Sequence, residues 1–475
     1  MLIKPCLSLL LLAALAKPAA ATEPRLPLNP EVAAMLNGIT SARIERRIRT
    51  LAGFGTRHTL SDTQSDTRGI GAARRWIAAE LRACSAAAGG RLEVAFDEHV
   101  VPAGERVPQA TTVINVVATL PGTDPMARER HFVVSGHYDS RAGDVMDAQI
   151  DAPGANDDAS GTAAVMEIAC AMAGRRFPAT LVFMAVAGEE QGLLGADAWA
   201  ADARRKGLRI DGMITNDIIG SPVGDIGQRD DHQVRLFADG LTPMLRMALG
   251  PARPASAPDP EAALFDGVRR QLDEQVRSGG AADFPANQLG RHLKEAGERY
   301  LPGFTVNLIQ RPDRFLRGGD HLPFLQRGYA AVRFTEPFEN FMHQHQTVRT
   351  ENGLRYGDLL EFVDPAYVAN VARINAAGLA TLALAPAAPV NVKVETLQLD
   401  NDTTLRWDAS AEPQVAGYRV LWRATDSATW QGHRDVGKLT RVTVPLSKDN
   451  LIFGVQALDA AGNPSLPSYP LPLRR

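Results

Sequence analysis

Leu181-Val-Phe-Met-Ala-Val-Ala187, followed at once by Gly188-Glu189-Glu190-Gln191-Gly192, decides the fold of this 475-residue chain. An unbroken apolar run, without the alternation of a half-solvated strand, reads as a strand covered on both faces in a parallel sheet. Open α/β sheets hold their ligands beyond the carboxyl ends of such strands, and Glu189 and Glu190 stand there. Two adjacent carboxylates in that position repel each other unless a cation compensates them. The cation's remaining ligands should then lie at the ends of neighbouring strands.

Candidates occur in the expected places. His131–Gly136 (HFVVSG) is a second apolar strand, running into His137-Tyr138-Asp139-Ser140. Gly154-Ala-Asn-Asp157-Asp158-Ala-Ser-Gly161 is a Gly-bounded turn before a helical stretch, Thr162–Ala173. Gly212–Ile219 (GMITNDII) reads as a strand with Asp217 near its carboxyl end, and Phe341-Met-His343-Gln-His345 comes last. Taken singly, each has a plain reading: a strand-end histidine, a solvated acid pair, a helix N-cap. Together they offer imidazole and carboxylate, the donor set of zinc or a similar divalent ion.

In this order and spacing the motifs resemble the M28 family of zinc peptidases, which includes bacterial leucyl-type aminopeptidases and, more distantly, glutaminyl cyclases. The matching strings are H-x-D-S at 137–140, G-A-x-D-D-A-S-G at 154–161, G-E-E at 188–190, Asp217, D-H-x-P-F at 320–324, and His343, within roughly residues 40–385. The resemblance implies two zinc ions per chain. Asp157 would bridge them, His137 and Asp217 would complete one site, and Glu190 and His343 the other. Glu189 would be the general base. Asp139 would hydrogen-bond the far nitrogen of His137 and fix its tautomer, with Asp158 and His321 supporting the site from further out.

Such an arrangement suits amide hydrolysis. A bound divalent ion lowers the pKa of water from 15.7 to about 7, and a pair of ions about 3.5–4 Å apart can clamp both reacting oxygens. A carboxylate within reach then takes the water proton and passes it to the leaving amine. Of the adjacent pair, Glu190 would face the metal and Glu189 the water. In an aminopeptidase the free α-amino group of the substrate also coordinates a metal, which restricts cleavage to the first peptide bond.

The chain departs from the family pattern at the last ligand, where the string is His343-Gln-His345-Gln-Thr347. Spacing favours His343, and His345 is its rival. No tyrosine matches the one some relatives use on the tetrahedral intermediate; Arg311, Arg314 or Arg317 would have to stand in. A glutaminyl cyclase-like, single-zinc transferase is the alternative activity, since Asp320–Phe324 and Asp217–Gly220 fit both subfamilies. The Asp157–Gly161 string resembles the two-metal peptidases instead. A non-catalytic binding protein on the same fold is the third reading, opposed by the survival of every candidate ligand and of Glu189.

Net charge is −3 and no basic run occurs, so nothing points to nucleic acid. Lys4, the apolar Leu7–Ala16 and the small residues Ala19–Ala21 read as an export signal over residues 1–21, making the mature protein periplasmic or secreted. No later stretch is long and apolar enough to span a membrane. Cys84 and Cys170 remain after cleavage, and either a disulfide or two buried thiols suits them.

The expected fold class is α/β: a mostly parallel central sheet flanked by helices, plus a C-terminal β-sandwich. Ser41–Gly53 and Ile70–Ala83 read as amphipathic helices with arginines on one face, and Arg91–His99 and Thr111–Leu120 as strands. The peptidase-like unit spans 35–385, with 225–310 as an insertion shaping the substrate pocket. Tyr329–Thr335 resumes the core, and Ala366–Ala385 closes it. Ala385–Pro389 is a Pro/Ala linker. From 388 to 475 short alternating strands follow at sandwich-like spacing, and Trp407, Gly417–Val420 and Val455–Asp459 resemble a fibronectin type III domain. That unit would serve surface or polymer attachment, spacing or stability. The partners implied are peptide or protein N-termini.

Overall fold

The computed structural model describes residues 28–243, 245 and 272–473. The export signal at 1–21 and the Pro-rich Pro251–Pro260 lie outside the described residues. Three helices open the described chain: α1 (Pro30–Asn37), α2 (Ser41–Gly53) and α3 (Gly69–Ala87). Asn29 and Thr40 cap the first two, each side chain accepting from a first-turn amide.

An eight-stranded sheet follows, in the order β1-β2-β4-β3-β5-β8-β6-β7. Its strands are β1 (Glu93–Val101), β2 (Thr111–Leu120), β3 (Arg130–His137), β4 (Thr180–Val186), β5 (Arg209–Asn216), β6 (Gln233–Phe237), β7 (Thr305–Ile309) and β8 (Ala331–Thr335). The central strands β4, β3, β5 and β8 are parallel. Every residue of β4 is buried, as its continuous apolar run demands. α4 (Ala159–Met172) connects β3 to β4 on one side, and α5 (Leu194–Arg205) carries the chain back across β3 to β5. The winding therefore reverses beside β3, which opens a crevice at the carboxyl ends of β3, β4 and β5.

The described residues of 225–310 extend the core rather than form the pocket-shaping insertion expected from the polar sequence. β6 and β7 extend the main sheet, β6 pairing antiparallel with β8 and parallel with β7. Between them the helix Pro285–Tyr300 buries Leu289 and Leu293 in the main core, alongside Ile374 and Leu379 of the long helix Pro365–Leu384. Strands of five residues flanked by polar loops carry too little apolar pattern to be seen in the sequence.

Arg47 on α2 and Glu167 on α4 form an ion pair in which both side chains are almost fully buried, and Arg43 reaches the same carboxylate at 2.5 Å. Cys84 and Cys170 are joined as a disulfide, with Cα atoms 5.3 Å apart, tying α3 to α4 beside that pair. Arg47 Nη2 lies 3.2 Å from Cys170 Sγ. Helix α4, whose N-terminus carries the acidic turn, is thus anchored on two sides.

A short hairpin, β9 (Arg349–Glu351) with β10 (Leu354–Tyr356), precedes the C-terminal unit, which is two facing sheets. One has the order β15-β12-β11-β17, with β11 (Lys393–Val394), β12 (Thr403–Arg406), β15 (Arg441–Val444) and β17 (Leu471–Pro472). The other is β14-β13-β16, with β13 (Val415–Ala424), β14 (Gly432–Gly437) and β16 (Leu451–Asp459). Leu405, Trp407, Tyr418, Val420, Phe453 and Val455 fill the space between them, and the Trp407 and Tyr418 rings meet edge to face at 5.5 Å. The Ala385–Pro389 connection is packed rather than loose. Arg130 donates to Ala385 O at 2.7 Å, and the Ala387 amide to Glu412 at 2.9 Å. Across the boundary, Asp283 accepts from Arg291 at 3.2 Å and from Arg423 of β13 at 2.6 Å, all three side chains being buried.

Candidate metal centre

His137 ends β3 with its ring fully enclosed. Its Nε2 lies 3.1 Å from Asp157 Oδ1 and 3.9 Å from Asp217 Oδ1. Its Nδ1 faces Asp139, 3.2 Å from the main-chain carbonyl and 3.5 Å from Oδ1. The Asp139 carboxylate in turn accepts from Thr59 Oγ1 at 2.9 Å and from the amides of Glu189 and Glu190 at 3.3 and 3.2 Å. One buried carboxylate thereby aims the imidazole and pins the Gly-Glu-Glu turn. Burial works against the Asp139 anion, but the bonds from His137 and Thr59 prevail and hold its pKa below the ordinary value.

Asp157 stands between two histidines. While Oδ1 faces His137, Oδ2 lies 3.0 Å from His345 Nε2 and accepts from Gln344 Nε2 at 3.2 Å. His345 Nε2 is also 3.1 Å from Glu190 Oε1. Two donor sets result, His137–Asp157–Asp217 and Asp157–Glu190–His345, each with its ligand atoms within 4.8 Å of one another and sharing Asp157.

The backbone is built to present these groups. Asp158 caps α4, accepting from Gly161 N at 2.9 Å, and the same carboxylate takes the amides of His137 at 3.0 Å and Ile218 at 3.3 Å. It therefore knots the ends of β3 and β5 to the start of α4. The Asp157–Asp158 peptide is cis. Gly161 packs so closely on β5 that a Cβ there would strike Asn216 O and the Asp158 carboxylate. Asp358 accepts the amides of Asn156 at 2.8 Å and Asp157 at 2.6 Å, holding the turn from the opposite side. Gly188, at φ 78°, makes the left-handed bend that turns the chain out of β4.

Arg333 on β8 reaches Asp217 Oδ1 at 2.9 Å and Asp313 Oδ2 at 3.1 Å. Burial raises the Asp217 pKa, and the charges of Arg333 and His137 outweigh that and lower it. Glu189 sits on the pocket wall. Loss of hydration pushes its carboxyl well above the ordinary value; His137 opposes the rise, while Asp217, Glu190 and Asp320 add to it. Desolvation likewise moves Asp320 up to about 7. His321 bonds Pro312 O through Nε2 at 2.7 Å, bracing the loop that carries Asp313.

A divalent cation fits these residues. Glu190 Oε1 is buried and accepts no well-aligned hydrogen bond, and neither oxygen of Asp320 finds a donor. Buried carboxylates converge on two imidazole nitrogens, the hard-oxygen and borderline-nitrogen set that zinc takes.

The chain gathers His137, Asp157, Glu189, Glu190 and Asp217 as expected of their motifs, but His343 is a correction. Its ring lies flat on Phe362, 3.6 Å between centroids and 8° between planes, and it belongs to neither donor set. His345, at φ 53°, takes the left-handed bend and enters the acidic cluster instead. Of the arginines considered for the missing tyrosine, Arg314 and Arg317 line the cavity, whereas Arg311 stacks on Phe315 at 3.9 Å. Thr59, Arg333, Gln344 and Asp358 were not singled out by any motif, because their partners lie far away in the sequence.

The family model described as Peptidase family M28 matches residues 115–267. Over 442 residues the chain is 47% identical to a probable zinc metalloprotease of Leptosphaeria maculans, covering 93% of this chain and 97% of that protein. It is 45% identical over 450 residues to a probable zinc metalloprotease of Pyricularia oryzae, covering 94% and 85%. Among solved structures, the LapA aminopeptidase of Legionella pneumophila superposes with a TM-score of 0.50 at 17% identity, over 77% of this chain and 78% of that one, a likeness of fold. With near-complete coverage by relatives at this identity, and with the motif residues assembled at one sheet edge, the chain belongs to peptidase family M28.

Proposed function

We propose that this protein is an exported aminopeptidase that works with two zinc ions. One observation carries the reading: the two oxygens of Asp157 face different histidines, at 3.1 and 3.0 Å. A carboxylate so placed can give one oxygen to each of two cations. His137 and Asp217 would hold one ion, Glu190 and His345 the other. Zinc, when bound, supplies Lewis acidity that polarises the scissile carbonyl and acidifies a water. The chain's own groups do the rest. Asp139 keeps His137 in the tautomer whose Nε2 is free to ligate. Glu189, beside Glu190 but outside both donor sets, accepts the proton of the attacking water and returns it to the leaving amine. The shared Asp157 favours this reading over a single-zinc cyclase.

Metal content tests it. The purified protein is expected to carry two zinc ions per chain and to release the N-terminal residue from peptide substrates in a chelator-sensitive way. His345→Ala should lose about half the metal and at least roughly 100-fold in activity, as expected when a direct ligand is removed rather than an outer-shell partner worth 10–100-fold. His343→Ala should keep both ions, losing only a ring stack of about 0.5–1.5 kcal/mol. One ion per chain together with cyclisation of N-terminal glutamine would move the protein to the cyclase class. Loss of metal in His343→Ala with retention in His345→Ala would reverse the ligand assignment.

A further inference from the structure

The cavity beside the two donor sets measures about 310 Å³, and its wall carries Arg106, Arg141, Arg314 and Arg317. Apolar lining comes from Leu193 and Leu316. A pocket that selects a leucine-like side chain carries few charges, whereas this one sets four arginines against two leucines.

The arginines are under-compensated. Arg314 and Arg317 both donate to Glu339 Oε2 at 2.9 Å, and the same carboxylate takes Arg235 at 3.0 Å. Arg314 also meets Asp313 at 3.0 Å, but Asp313 is shared with Arg333. Among the described residues, Arg141 donates only to the carbonyls of Ala142 and Gly143, both at 3.1 Å, and Arg106 only to Glu190 O at 2.9 Å. Among the described residues neither has an acidic partner. The acids that do line the cavity are Asp157, Glu189, Glu190 and Asp217. In the reading above three of these are balanced by cations and the fourth handles the proton. The guanidiniums then face whatever enters. They are permanently charged, and their planar fork matches a carboxylate with paired N–H donors.

We propose that the pocket selects substrates bearing a carboxylate close to the scissile bond, received by Arg141 and Arg106, with Arg317 also in the lining. The carboxylate can be the side chain of an acidic residue or the free terminus of a dipeptide. This rests on the peptidase reading and narrows its substrate class.

Three peptides separate the sources. Asp-Ala-amide carries only a side-chain carboxylate, Asn-Ala only a terminal one, and Asn-Ala-amide neither. A charge-assisted hydrogen bond contributes about 1.5–3 kcal/mol, so kcat/KM for one of the first two should exceed that for Asn-Ala-amide by roughly ten- to hundredfold, mainly through KM. Whichever peptide gains names the source. In Arg141→Gln that ratio should fall towards one, and Arg141→Lys should recover part of it. Equal kcat/KM for all three peptides overturns the proposal and leaves the peptidase reading standing. Calorimetric titration of the same peptides into Glu189→Gln protein reads the preference without turnover. Absence of hydrolysis by the native protein with tighter binding of a carboxylate-bearing peptide to the variant would sink the peptidase reading alone, whereas equal binding of all three would sink the carboxylate preference.

Discussion

Asp157→Asn is expected to retain its fold and disulfide but to emerge with at least one metal missing and with peptidase activity reduced by three orders of magnitude or more. The carboxamide has nearly the same shape as the carboxylate, yet it offers one oxygen where the carboxylate offers two, and its amino group turns two N–H donors toward a cation or an imidazole. In the native arrangement Oδ1 addresses His137 and Oδ2 addresses His345. Whichever way the amide rotates, one donor set loses its shared oxygen and both lose a unit of negative charge. Outer-shell substitutions at metal sites typically cost 10–100-fold. A shared ligand should cost more than that at each ion it serves. Metal analysis after dialysis, a circular dichroism spectrum and turnover of the best native peptide substrate read the three components separately. A variant with two ions and more than a tenth of native turnover would show that Asp157 does not bridge.

Glu189→Gln should behave in the opposite way with respect to metal: full occupancy, an unchanged spectrum, and kcat lower by about 10²–10⁴-fold, the usual contribution of a positioned general base. Glu189 belongs to neither donor set. Its main-chain amide, rather than its side chain, bonds Asp139, so the turn survives the substitution. Glutamine can still hydrogen-bond a water but cannot take its proton. KM should move little, because the deficit arises in the transition state alone. Near-native kcat in this variant would remove Glu189 from the mechanism and direct attention to Asp320, a buried carboxyl neither of whose oxygens finds a donor.

Much of this site was legible because ligands in a doubly wound sheet follow apolar runs. β4 is buried along its whole length and reads as an unbroken hydrophobic string, β3 and β5 carry shorter apolar stretches at 132–134 and 212–214, and the candidates follow closely after each. His343 and His345 had no such anchor. They lie in a loop, where the choice between two histidines two residues apart depends on a single left-handed bend and on an aromatic partner, Phe362, that only the folded chain supplies. Asp358 was invisible for a similar reason, since it holds the Asp157 amide across 201 residues of sequence. Arg47 looked like one more charge on an arginine-rich helix face, yet Glu167 on α4 draws it fully inside. Burial of a charge depends on a partner, and nothing local encodes where the partner is.

The Asp283 junction bears on how the whole molecule comes apart. Its carboxylate is neutralised by one arginine from the peptidase unit and one from the sandwich, and all three groups are out of water. Separating the two units would strip Asp283 and Arg291 of Arg423 and hydrate the Ala385–Pro389 seam at the same time, and breaking one partner from a buried pair typically costs about 3–5 kcal/mol. That is a sizeable part of the 5–15 kcal/mol by which a typical domain is stable at all. The sandwich is then less a tether than a keystone: the two units are expected to melt in a single cooperative transition by scanning calorimetry, and a protease that trims the tail should erode the peptidase unit's lifetime rather than release it intact.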